Sequence, residues 1–189
     1  WIPNTVHGDT PPPPLPVDHI DNNPLDTTEV PEHLRKCLVQ TVRAAWAIGY
    51  DDADIPHHNA QTWQELENSL HAGFTTTTTT NPLTHILELL DTLQNPDNNT
   101  EAITFVIDDG TTAHSFLATS EGLIFDTNTP EPPTTPGEQR TPRVRPTTQW
   151  QQTLPQTFPH IQDAYYLEFT KDTQGRLQPN PKPHPNGPT

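Results

Sequence analysis

Residues 102–126 read AITFVIDDGTTAHSFLATSEGLIFD, and this stretch decides the fold class. Residues 102–107 are rich in β-branched and aromatic side chains and predict a strand. Asp108-Asp109-Gly110 has the chemistry of a tight turn. Residues 113–119 predict a second strand, Glu121-Gly122 a second turn, and residues 123–125 a third strand. Short strands joined by tight turns make an antiparallel meander.

Upstream of the meander the period is helical. Pro31 suits a first helical position, with Glu32 in the first turn. Leu34, Leu38, Val42, Ala45 and Trp46 share one face across residues 33–48, and Gly49 is a stop. Thr62-Trp63-Gln64-Glu65 has the pattern of a capping box, opening a short helix through Leu70 and His71 that ends by Gly73. The threonine run at 75–80 reads as an exposed loop. Asn81-Pro82 opens a third helix, with Leu83, Ile86, Leu87, Leu90 and Leu93 as its apolar stripe. Downstream, residues 127–149 read as a long loop, Trp150 to Leu154 as a turn of helix, and residues 164–169 as a last strand. Helices first and strands after predict an α+β architecture, with N-terminal helices packed on an antiparallel sheet.

Composition sets the limits of the folded part. Of 189 residues 24 are proline, and only 30% are hydrophobic, too few to build a core along the whole chain. Residues 1–30, with Pro11 to Pro14 favouring polyproline II, read as a linker or arm; 31–170 as the folded domain; 171–189 as a Pro-rich tail. The net charge of -15 repels phosphate backbones, so nucleic acid is not an expected partner, and a basic partner is favoured. No apolar run is long enough for a membrane-spanning helix, and no signal peptide is visible. A start at Trp1 and the lack of methionine suggest a processed product or a piece of a longer protein.

Three residues could carry chemistry. Cys37 is the one cysteine, so no intrachain disulfide forms. It falls in the first turns of the first helix, where unpaired N–H groups and the helix dipole favour a thiolate, and Arg35 and Lys36 precede it. A lone cysteine is equally a common core residue. His114 opens the second strand and could serve as general base and then general acid. Asp126 ends the third strand. With a hairpin centred at Ser120 and Glu121, opposing residue numbers sum to about 240, which sets His114 directly opposite Asp126 on one sheet face. Asp126 would then orient the imidazole. His57 and His58, near Asp51, Asp52 and Asp54, lack any metal-site spacing, so no metal or cofactor is expected. Gly-x-Ser-x-Gly and phosphate-binding glycine loops are absent.

A helix-borne Cys followed by His and then Asp on neighbouring strands resembles the papain-like cysteine enzymes. More closely, the chain looks like the glutamine-deamidase toxin domains of bacterial polymorphic toxins. The matching positions are Cys37, the Ala113-His114-Ser115 segment and Asp126-Thr127-Asn128. The resemblance covers roughly residues 31–170. It implies a papain-like fold, a Cys37–His114–Asp126 triad and deamidation of a protein glutamine; a cysteine protease or acyltransferase would use the same triad. It also implies secretion as the C-terminal part of a larger exported bacterial protein, and an immunity protein as partner. The chain departs from the family pattern at Thr112-Ala113, where glycine is usual, and at Thr127 and Asn128. No Gln or Asn shortly precedes Cys37, which leaves Gln40 and Asn128 as oxyanion candidates beside the Cys37 backbone N–H. The reading from another class is a non-catalytic acidic binding module.

Overall fold

The computed structural model describes residues 30–54, 62–77, 80–130 and 142–180. The chain runs α1 (Glu32–Ala47), α2 (Trp63–Leu70), β1 (Thr75–Thr76), α3 (Pro82–Leu93), β2 (Thr100–Asp108), β3 (Ala113–Thr119), β4 (Leu123–Pro130), β5 (Pro142–Pro146), α4 (Thr147–Thr157), β6 (Asp163–Lys171) and β7 (Leu177–Pro179). The class is α+β, as the order of elements predicts.

Local chemistry explains the helix starts. The Thr62 hydroxyl accepts the Glu65 N–H at 3.1 Å, and the Asn81 side chain accepts the Thr84 N–H at 3.2 Å. Each satisfies a donor that the first turn leaves unpaired. Pro82 sits where no N–H is needed. Past the end of α1, Gly49 adopts φ 111°, which a side chain would resist.

The strands form one antiparallel sheet in the order β1-β6-β2-β3-β4-β5, with β7 also pairing to β6. Both faces are covered. On one, α1 and α2 bring Leu34, Cys37, Leu38, Val42, Leu66 and Leu70 against Val106, Leu117 and Phe169. On the other, Ile86, Leu90 and Leu93 of α3 and Leu154 of α4 pack on Ile103, Phe105, Phe116 and Ile124. Side chains alternate along a strand, so neighbours such as Phe116 and Leu117 serve different layers. Phe105 and Phe116, paired across β2 and β3, stack with ring centroids 4.8 Å apart. Each buried ring or leucine contributes about 1.5–3 kcal/mol.

Several expectations are corrected. The predicted long loop is ordered at both ends: β4 extends to Pro130, and β5 and α4 fill residues 142–157. Prolines sit at both ends of edge strand β5, a position where a missing N–H is tolerated. The threonine run is in part a strand, with Thr75 and Thr76 paired to Tyr166 and Tyr165. The tail does not begin at Lys171, because Leu177–Pro179 folds back on β6. Arg176 Nε bonds Asp172 at 3.0 Å within that hairpin. The first turn needs its glycine: Gly110 has φ +93°, and a Cβ there would lie 2.8 Å from Gln162 Oε1. The N-terminal arm up to residue 29, the His57-His58 loop, residues 131–141 and the tail from 181 lie outside the described residues.

Candidate active site

β3 and β4 bring His114 and Asp126 together. Their register pairs Phe116 with Asp126 and Ala118 with Ile124, so opposing numbers sum to 242 rather than the expected 240. The shift is two residues, which preserves the face. His114 and Asp126 are therefore diagonal neighbours on one side of the sheet, with His114 Nε2 2.8 Å from Asp126 Oδ1. The carboxylate approaches off the ring N–H direction, so this is a close polar contact and not an aligned hydrogen bond.

The pair is enclosed. His114 is 9% exposed and Asp126 4%. Trp150 of α4 lies over the imidazole, its ring centroid 6.0 Å away and tilted 30°, and Phe158 lies 5.3 Å away. Trp150 also meets Phe116 at 5.3 Å. The Trp150 Nε1 atom is buried and has no hydrogen-bond partner.

Cys37 is elsewhere. It is 1% exposed and belongs to the layer that α1 makes with Val106 and Leu117. Parity explains the separation. His114, Phe116 and Ala118 point to the α3–α4 side, whereas Leu117 points to α1. The sheet thus stands between the sulfur and the imidazole. The expectation that Cys37, His114 and Asp126 converge is met for the last two and not for the first. Gln40 also lies on α1, with its Oε1 buried, and so across the sheet from His114. Asn128 lies in β4, and its side chain is outside the described part.

One turn before Cys37 is a second His–Asp pair that sequence reasoning missed. His33 Nε2–H donates to Asp108 Oδ1 at 2.9 Å, and Asp108 Oδ1 also accepts the Gly110 N–H at 2.8 Å. The spacing of four between His33 and Cys37 was the available signal, since it puts both on one helix face. Asp108 closes the apolar run of β2 and was read only as a turn residue.

Among the described residues, no group of three or more His, Cys, Asp or Glu side chains could hold a metal ion. No described helix is long and apolar enough to cross a membrane. Comparison with protein families, with curated proteins and with solved structures finds no match to this chain. A histidine held beside a carboxylate can take up and return a proton. Covalent catalysis would further require a nucleophile on the same face.

Proposed function

We propose that this chain is a papain-like domain of the glutamine-deamidase toxin kind, with His114 and Asp126 as its acid–base pair. The supporting observation is their 2.8 Å contact on adjacent strands, the arrangement that the resemblance implies. In this reading the Cys37 thiolate attacks a glutamine carboxamide carbon, and the C–N bond breaks as His114 protonates the departing ammonia. Water, deprotonated by His114, then cleaves the thioester, yielding glutamate and restoring the thiol. Proteolysis or acyl transfer would proceed through the same acyl-enzyme, with another leaving group or acceptor. The chain would act as the exported C-terminal part of a larger bacterial protein, with an immunity protein as its neutralising partner.

The reaction requires Cys37 to meet His114, so α1 would have to be laid differently against the sheet. The placement of Cys37 across the sheet favours a second reading, a non-catalytic acidic binding module. There Cys37 is core and the His114–Asp126 pair only shapes the fold. The net charge of -15 suits a basic protein partner.

The test is expression of the chain in bacterial cells, followed by a proteome-wide search for the one-dalton gain that converts Gln to Glu. The deamidase reading expects modification with the wild type and none with Cys37→Ala or His114→Ala. Equal modification by Cys37→Ala sinks the thiol mechanism. No modification by the wild type leaves the binding module.

A further inference from the structure

A histidine meant to exchange protons with a substrate must be reachable, and His114 is not. α4 is part of what closes it off. Trp150 from that helix and Phe158 just beyond it lie on the imidazole. Leu154 anchors the helix in the apolar layer. Gln151 Nε2 donates to Asp91 Oδ1 of α3 at 2.7 Å, an exposed tie.

The helix itself is weak. Its N-cap is Pro146, with no side-chain cap bond and no acidic residue in the first turn. Pro155 lies inside it and removes a helical hydrogen bond. Thr147, Thr148, Thr153 and Thr157 are β-branched. Eleven residues are too few to hold a helix without tertiary contacts. The closed state also leaves the buried Trp150 Nε1–H without an acceptor, which favours release of the helix. We infer that α4 is a hinged cover over the His114–Asp126 pair, closed in this structure and opening by local release of the helix. The inference deepens the proposed function, because it concerns access to the same imidazole, and it rests on that reading for its biological meaning.

The test is carbethoxylation by diethyl pyrocarbonate, quantified at His114 by peptide mass spectrometry. Exposed His160 is the internal reference. Alkylation of Cys37, on the other face, reports opening of the α1 layer in the same sample. In the wild type His114 should react at least about tenfold more slowly than His160. Trp150→Ala should raise the His114 rate at least about fivefold while Cys37 stays protected. Gln151→Glu, which sets a carboxylate against Asp91, should raise it as well.

His114 reacting as fast as His160 in the wild type overturns the cover. So does an unchanged rate in both variants. Should Trp150→Ala expose Cys37, the Gln151→Glu rate decides alone, a rise supporting the cover and no rise removing it. The two readings fail separately. Faster carbethoxylation without glutamine modification by any variant leaves the cover and removes the reaction. His114-dependent modification with equal carbethoxylation in all variants does the reverse.

Discussion

Cys37 and His114 lie on opposite faces of one sheet, the thiol under α1 and the imidazole under α4. A thiol that is 1% exposed reacts only when the structure opens. Iodoacetamide should therefore modify native Cys37 at least about a hundredfold more slowly than glutathione at the same pH. In denaturing urea the rates should converge. Rapid native alkylation would mean that α1 already presents its sulfur, and would favour the enzyme.

Asp126 is buried with its Oδ1 2.8 Å from His114 Nε2, so its loss removes a close polar neighbour of the ring and opens a cavity beneath α4. Asp126→Ala should lower stability by roughly 2 kcal/mol in urea melts at neutral pH. Asp126→Asn, which keeps the shape and an oxygen, should lose less. An Asp126→Ala midpoint equal to the wild type would show that the pair contributes nothing to the fold, leaving function as its only reason.

Asp109 organises the first turn of the meander. It accepts the backbone N–H groups of Thr112 at 2.7 Å and Thr111 at 2.8 Å, and both hydroxyls at 2.9 Å. The Thr112 and Thr111 backbone donors, then the Thr112 hydroxyl, hold its carboxyl well below the usual range. A depressed folded value means that the contribution is present above the unfolded value of about 3.9 and is lost as pH falls through the folded one. The site is exposed, so screening keeps it small, and Asp109→Ala should cost about 1 kcal/mol at neutral pH. The gap to wild type should narrow in acid; a gap independent of pH would show that the turn does not depend on the ionised carboxylate.

Much of the fold and the meeting of His114 with Asp126 could be read from the sequence, and the place of Cys37 could not. Thr62 and Asn81 marked their helices because a cap is a contact within three residues. Residues 102–107 marked a strand by their side chains alone. What the strand pattern could not say was which helix covers which face. Phe116 and Leu117 are both apolar and both buried, so β3 carries no inside or outside label. Cys37 was therefore free to be placed with either face, and the resemblance placed it with His114. The register slipped by two for a related reason. The turn through Ser120, Glu121 and Gly122 set the centre, and Gly122 at φ 83° moved it one position onward. β5 and both ends of α4, beyond the turn read at Trp150 to Leu154, were hidden by proline and threonine, whose presence argues against regular structure until tertiary packing overrides them.

All three tyrosines of the chain have their hydroxyls pushed above the ordinary value. For Tyr50, burial acts first and then Asp52 and Asp54; its hydroxyl donates to the Leu70 carbonyl at 2.6 Å. Tyr165 is pushed up to about 12 by burial, then Asp163 and Asp108. Tyr166 is raised by burial and Glu168, against a hydrogen bond with Thr75. An acid whose folded value exceeds its unfolded value near 10 costs nothing below that pH, and its stability is lost as pH rises through the folded value. The tyrosinate absorbance band should thus stay absent where a free phenol is half ionised. It should then appear in one cooperative step, together with loss of the helical dichroism signal. Tyr165→Phe removes one ionisable group from that balance and should move the step to higher pH. A gradual band centred near 10 with the dichroism intact would show that these hydroxyls reach water in the native fold, and that the sheet is less closed than the contacts of Trp63 and Tyr165, with ring centroids 4.3 Å apart, imply.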